Sequence, residues 1–244
     1  MRCPLCLGKI MAGIFYGIGV GPGDPELLTL KAINALGRVE VIFAAASDKN
    51  DYSLAAEIAG RYFSPSAQLE VLYFPMSKEA AELEAAWLAN ACQVEKTLSR
   101  DQNAAFVTLG DPLIYSTFGY LHRTLKKRNP ALKVEIIPGI TSFQAAAAKS
   151  GRILCEADQS LLLLPGTDLP PSAEQALSLA DNAVILKAYK NMPELKRLLK
   201  ADTQQRKTTF VSRLGLPGED IVHNLAEVSD TPPYLSLLLL LRDE

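Results

Sequence analysis

The sequence predicts a two-lobed α/β protein, with a mostly parallel sheet in an N-terminal lobe and a mixed sheet in a C-terminal lobe. Three observations predict it. Apolar runs bounded by Gly, Pro and Asp alternate with stretches of helical periodicity through the first 150 residues. Beyond residue 151 strand candidates crowd together and helices thin out, the pattern of antiparallel pairing. The 244 residues suit one large domain or two small ones, and 48% hydrophobic with 21% charged residues marks an ordinary globular chain. The expected divisions are an extension over 1–12, one lobe over 13–150 and a second over 151–244.

The first strand is Ile14 to Val20, followed by the turn Gly21-Pro22-Gly23. Asp24 reads as an N-cap with Pro25 at the first helical position. Leu27, Leu30, Ile33 and Leu36 recur at helical spacing, and Gly37 closes that helix. A strand over Glu40 to Ala45, a helix over Tyr52 to Phe63 and a strand over Leu69 to Phe74 come next. The Ala/Glu/Leu-rich stretch from Ser77 to Arg100 is a long helix with Ser77 as its cap. Ala105 to Leu109 is a buried strand ending at Gly110-Asp111-Pro112, and helix follows through Lys127. Val134 to Ile137 is a strand ending at Pro138-Gly139; Ile140 to Lys149 is a small-residue helix closed by Gly151. The second half holds strand candidates at Leu161–Leu164, Ala183–Lys187, Thr208–Ser212, Ile221–Asn224 and Leu235–Leu241, with helices near Ser172–Leu179 and Pro193–Lys200. The leucines from 237 to 241 suit a strand buried on both faces, because the run is far too short to span a bilayer.

Composition narrows the chemistry. The net charge of −2 lacks the basic excess of a general nucleic-acid binder, so no nucleic-acid partner is expected. His122 and His223 are the two histidines, too few for a three-histidine metal site and poor material for a Ser–His or Cys–His system. Cys3, Cys6, Cys92 and Cys155 are sparse for a secreted disulfide scaffold. With no membrane-spanning run, a cytoplasmic protein without a membrane partner is expected. Cys3 and Cys6 form a C-x-x-C pair, but zinc needs two further ligands, and Cys92 and Cys155 are isolated. The pair reads as an extension ahead of the folded part, with Met11 an alternative start, and no metal site is expected.

Three Gly/Pro-containing loops each follow a strand of the first lobe: GVGPGDP (19–25), LGDPLIYST (109–117) and PGITSFQAAAA (138–148). In open α/β sheets ligands bind beyond the carboxyl ends of the strands, where these loops fall. The dinucleotide pattern G-x-G-x-x-G fails, because its third glycine is Pro22 or Asp24. A Walker A loop is also absent, which leaves an adenosine-type ligand without pyrophosphate. Plainer readings stand beside the functional ones. Gly21-Pro22-Gly23 can be a tight turn, Asp111 can cap the following helix, and Ala145–Ala148 reads first as tight helix packing.

The three loops, in this order and spacing, resemble the tetrapyrrole (corrin and porphyrin) methyltransferase family. Later segments agree: VILKAYKN (184–191), VSRLGLPGEDIV (211–222) and PYLSLLLL (233–240). The YSTF stretch at 115–118 with PGITSFQAAAA is most similar to precorrin-2 (cobalt-factor II) carbon-20 methyltransferases. Uroporphyrinogen methyltransferases typically carry a double glycine before the Asp, where this chain has Leu109-Gly110-Asp111. The resemblance implies two α/β lobes with a ligand cleft between them, S-adenosylmethionine as methyl donor, an anionic tetrapyrrole substrate and a homodimer. Its cofactor positions map onto Pro22, Leu109, Gly110, Asp111, Ile114, Thr141 and Ser142, with Lys187 and Leu214 from the second lobe. Tyr115, Ser116 and Thr117 fall on the substrate side.

The implied reaction moves a methyl from a sulfonium to a nucleophilic meso carbon, so imidazole is not required of the protein. Any base needed afterwards has nominal candidates in Asp111, Tyr115 and Asp48. Substrate carboxylates require local positive charge, for which Lys49, Arg61, Lys78 and Arg213 are available. The alternatives are another tetrapyrrole methylase, such as a uroporphyrinogen III methyltransferase, or a non-catalytic adenosine-ligand sensor.

Overall fold

The computed structural model describes residues 13–46, 53–167, 169–200, 204 and 206–242. The chain divides into two compact units, one ending at Ile140 and the other beginning at Thr141. The division falls ten residues ahead of the boundary expected after residue 150.

The first unit is a five-stranded sheet of β1 (Phe15–Gly19), β2 (Val41–Ala46), β3 (Gln68–Tyr73), β4 (Ala104–Thr108) and β5 (Val134–Ile137). The order is β3-β2-β4-β1-β5, and every pairing is parallel. β1, β2 and β4 are central and covered on both faces, which is why they are nearly all apolar. Alternate residues sort to the two sides. Ile18, Ile42, Ala44, Ala105 and Val107 pack against α1 (Leu30–Leu36) and α2 (Leu54–Ala59). Phe15, Phe43 and Phe106 pack against α3 (Ala80–Leu98) and α4 (Phe118–Arg128). Gly17 has no side chain because the ring of Phe118 fills that place; a Cβ there would lie 2.2 Å from Phe118 Cζ. α3 and α4 are joined by the guanidinium of Arg128, which donates two hydrogen bonds, 2.9 and 2.7 Å, to the Glu95 carboxylate.

Local chemistry moves several helix starts. Asp24 caps only a 3₁₀ turn, Pro25–Leu27, by accepting from Glu26 N–H at 2.8 Å. α1 begins after Thr29, whose hydroxyl accepts from Ala32 N–H at 3.1 Å. Ser77 accepts from Glu79 N–H, and α3 starts at Ala80. Helix does not follow Pro112 directly; α4 starts at Phe118, so residues 109–117 form a true loop.

The second unit carries α5 (Ser142–Ser150), β6 (Leu161–Pro165), α6 (Ala173–Leu179), β7 (Asn182–Leu186), α7 (Met192–Lys200), β8 (Lys207–Ser212), β9 (Asp220–Val222) and β10 (Ser236–Leu241). Its sheet order is β6-β7-β10-β8-β9. β6 and β7 are parallel and the other pairings antiparallel, a mixed sheet as the sequence predicts. β10 is central and buried throughout, which accounts for its leucine run. Leu238 and Leu240 face α6 and α7, while Leu237 and Leu239 face Ala146 and Ala147 of α5. That packing is why α5 goes with the second unit: its alanines let the helix lie close on β10. Among the described residues no helix is long and apolar enough to cross a membrane.

Candidate ligand site at the carboxyl edge of the first sheet

β1 and β4 are neighbours whose onward connections leave in opposite directions. The path from β1 leads to β2 beyond β4, and the path from β4 leads to β5 beyond β1. That arrangement is a topological switch point, where the loops splay apart and a ligand finds a crevice. Here the two loops are also hooked together. Val20 N–H donates to Thr108 O at 3.0 Å, and Gly21 and Gly110 exchange backbone hydrogen bonds of 3.3 and 2.7 Å. Both glycines hold positive φ, +81° and +68°, which other residues reach only with strain.

The loop after β5 closes on the same point. A Cβ on Gly139 would lie 2.1 Å from Gly110 O and 2.8 Å from Gly19 Cα. A Cβ on Gly19 would lie 2.5 Å from Gly110 O. Three backbones thus meet where no side chain fits. At Gly110 itself a Cβ would meet nothing within 4 Å, so this glycine borders open space.

Asp111 ties the cradle. Its Oδ1 accepts from Leu113 N–H at 2.8 Å and its Oδ2 from Gly139 N–H at 3.0 Å. Both oxygens are engaged with backbone, so the carboxylate positions two loops, and it does not cap the following helix, which starts only at Phe118. Pro22 is buried, Leu109 packs on the α1–α2 side of the core, and Ile114 is half-buried. Tyr115 holds φ of +47° and is 46% exposed. Partial burial raises the pKa of its phenol. Ser116 Oγ lies 2.9 Å from Thr108 Oγ1 and accepts from Phe118 N–H at 3.1 Å. Thr117 occupies the cap position of α4 without a side-chain capping bond.

The remaining sequence candidates lie in the second unit or elsewhere. Thr141 and Gln144 form a reciprocal capping box at the start of α5, and the Thr141 hydroxyl also donates to Gln144 Oε1 at 2.8 Å. Ser142 opens that helix. Lys187 follows β7 with φ of +58°, and burial lowers the pKa of its ammonium although part of the side chain reaches solvent. Leu214 is buried in the core against α5. Arg213, at φ of +50°, donates to Pro217 O at 2.7 Å. Arg61 lies over the Tyr62 ring and Lys78 is exposed. Cys3, Cys6, Met11, Asp48 and Lys49 lie outside the described residues. Sequence reasoning passed over Gly19, Thr108 and Gly139, which carry the loop contacts. The signal for the capping box, Thr-x-x-Gln at 141–144, was legible.

The family model of the tetrapyrrole (corrin/porphyrin) methylases matches residues 15–229. The chain belongs to this family. Among its methylase relatives, the cobalt-precorrin-2 C(20)-methyltransferase of Salmonella typhimurium is 33% identical over 94% of this chain and 96% of its own. A probable cobalt-precorrin-2 C(20)-methyltransferase of Methanocaldococcus jannaschii is 38% identical over 93% and 95%. A precorrin-2 C(20)-methyltransferase of a Sinorhizobium species is 32% identical over 96% and 97%. Among solved structures, a cobalt precorrin-4 methyltransferase superposes with a TM-score of 0.73 at 19% identity, covering 93% of this chain and 94% of its own. The uroporphyrin-III C-methyltransferase of Thermus thermophilus complexed with S-adenosyl homocysteine gives 0.67 at 24%, covering 93% and 97%. These two likenesses show the methylase fold.

Proposed function

We propose that this chain is an S-adenosylmethionine-dependent methyltransferase acting on carbon 20 of precorrin-2 or cobalt-factor II in cobalamin biosynthesis. The observation that carries the proposal is the near-full-length likeness to three C(20)-methyltransferases at 32–38% identity. The S-adenosyl homocysteine held by the Thermus relative supports the methyl donor. The residues present fit an adenosine-type ligand. Gly19, Gly110 and Gly139 strip side chains from the strand ends, and Gly110 borders open space. On the first unit the proposed cofactor contacts are Pro22, Leu109, Gly110, Asp111 and Ile114.

S-adenosylmethionine supplies a methyl already activated on a sulfonium. The task left to the chain is placement: donor methyl and acceptor carbon held in line at near-attack distance. Such ordering can contribute roughly 7–11 kcal/mol toward the barrier. The hooked glycines and the Asp111 ties supply rigidity for it, because each loop is fixed to its neighbour by backbone hydrogen bonds. A cytoplasmic homodimer belongs to the same proposal. The exposed row Leu69, Val71 and Tyr73 on edge strand β3 supports the self-association, at 53, 42 and 45% exposure.

The test is a substrate panel: precorrin-2, cobalt-factor II and uroporphyrinogen III, each incubated with S-adenosylmethionine and weighed by mass spectrometry. One added methyl on precorrin-2 or cobalt-factor II, and none on uroporphyrinogen III, is expected. Methylation of uroporphyrinogen III alone would sink the proposal. Comparing the metal-free and cobalt-loaded rings in the same panel identifies the preferred form.

A further inference from the structure

β10 is leucine from 237 to 241, and its first residue, Ser236, breaks the run. Ser236 is 8% exposed, and among the described residues no group hydrogen-bonds its Oγ. A buried hydroxyl without a partner costs stability that an alanine would not, so packing gives no reason for it. Its surroundings follow from strand register, since residues opposite one another on neighbouring strands share a face. Leu238 stands between Ile185 of β7 and Phe210 of β8, an apolar row buried against α6 and α7. In the next row on that face, Ser236 stands beside the buried Ser212 of β8. On its other side β7 has ended at Leu186, which pairs with Leu237. Ala188 N–H then donates to Ser236 O at 3.1 Å, which brings Lys187 level with Ser236. The outermost row thus turns from apolar to polar across three strands. Its one carboxylate, Asp220 of β9, is exposed and two strands from Ser236, roughly 10 Å.

The row lies where an α/β sheet receives ligands. β6, β7 and β8 all run antiparallel to β10 or parallel to one another, so their carboxyl ends share the edge at which β10 begins. Two cations flank Ser236 in left-handed backbone, Lys187 at φ of +58° and Arg213 at +50°. Strain of this kind gathers at ligand sites. Burial lowers the pKa of Lys187, and no carboxylate among the described residues offsets it. The rings of Tyr189 and Tyr234, centroids 4.7 Å apart, join the chain leaving β7 to the chain entering β10. We infer that Ser236 is a ligand-binding residue of the second unit, whose hydroxyl donates to a carboxylate that Lys187 neutralises. Both groups then gain the partner that the fold withholds, through charge-assisted hydrogen bonds. The inference rests on the proposed methyl transfer for its two carboxylate ligands, the amino-acid end of the methyl donor and a side arm of the tetrapyrrole.

The experiment compares the full wild-type chain with Ser236→Ala, Lys187→Met and Lys187→Arg. Calorimetry measures S-adenosylhomocysteine and methylthioadenosine, a thioether nucleoside without the amino-acid carboxylate. Steady-state kinetics give KM for precorrin-2, and thermal melts without ligand follow the fold. Ser236→Ala is expected to melt no lower than the wild type, because it removes only an unpartnered hydroxyl. If the carboxylate belongs to the methyl donor, Ser236→Ala and Lys187→Met weaken S-adenosylhomocysteine about tenfold and leave methylthioadenosine within about twofold. If it belongs to the tetrapyrrole, S-adenosylhomocysteine affinity holds and KM rises about tenfold. Lys187→Arg, which keeps the charge, stays nearer the wild type than Lys187→Met in both cases. Either pattern supports the inference and identifies the source of the carboxylate. Wild-type affinity and KM in Ser236→Ala or in Lys187→Met overturn it. Weakening of S-adenosylhomocysteine and methylthioadenosine in step also overturns it, because the carboxylate then plays no part. So does a ligand-free Ser236→Ala protein that melts below the wild type, because its hydroxyl then has a partner within the fold. Wild-type protein that binds S-adenosylhomocysteine but methylates no tetrapyrrole overturns the proposed function; the calorimetric comparison then decides this inference alone.

Discussion

Replacing Gly139 with alanine tests whether the three loops form one rigid cradle. The added Cβ would stand 2.1 Å from Gly110 O and 2.8 Å from the Gly19 backbone. An ordinary contact begins near 3.4 Å, so the loop after β4 must retreat by more than 1 Å. Every atom in the way is backbone, so rotating a side chain gives no relief. The retreat stretches the 2.7 Å Gly110–Gly21 bond and the 3.0 Å Gly139–Asp111 bond. Overpacking of this kind costs about 1–3 kcal/mol, and at about 3 °C per kcal/mol the unfolding midpoint falls by roughly 3–9 °C. A displacement of about 1 Å at a reacting centre costs on the order of 100-fold in rate. The control is Gly60→Ala, where a Cβ meets nothing within 4 Å and φ is −55°. It should be neutral or slightly stabilising, by about 0.4–1 kcal/mol. Calorimetry with S-adenosylhomocysteine and a thermal melt read both effects. A Gly139→Ala protein that binds S-adenosylhomocysteine and melts like Gly60→Ala refutes the cradle.

Three other outcomes follow from the same structure. Glu95→Ala leaves the Arg128 guanidinium beside an empty place between α3 and α4, where Glu95 was 3% exposed; a loss of about 3–5 kcal/mol is expected by denaturant titration, and less than 1 kcal/mol contradicts it. Gly215 N–H and the Lys149 ammonium hold the Glu219 carboxyl below its usual pKa. A depressed carboxyl contributes stability above its unfolded pKa, near 4.3, and loses it as pH falls through the lower folded value. Glu219→Gln should therefore flatten the acid limb of the melting curve below about pH 4.3 and leave a smaller deficit there than at pH 7; an unchanged acid limb contradicts it. For the self-association, sedimentation should show a dimer that Val71→Glu dissociates; a wild-type monomer at micromolar concentration counts against it.

Much of the fold was legible in the sequence, for reasons visible in particular residues. β1, β2 and β4 are covered on both faces, so they read as unbroken apolar runs. β10 is the clearest example, since burial of both faces writes itself as leucines. Helix starts were less legible, because several side chains compete to cap one turn. Asp24, Ser77 and Asp111 each accept a backbone N–H two residues on, forming a local turn in place of an α-helical start. The affiliation of α5 was hidden too. Its alanines are compatible with either unit, and only contact with β10 assigns them. At the site, the loops were legible but their ties were not. Gly139 N–H meeting Asp111 and Thr108 meeting Ser116 join residues 28 and 8 positions apart, and no local spacing rule marks such pairs.

The central claim is transfer of a methyl group to carbon 20. Its most direct measurement is carbon NMR of the product formed with S-adenosylmethionine carrying a carbon-13 methyl. The account predicts a single new methyl resonance coupled to the meso carbon at position 20, and none when the protein is omitted. A labelled methyl on any other ring carbon, or a product without label, contradicts it.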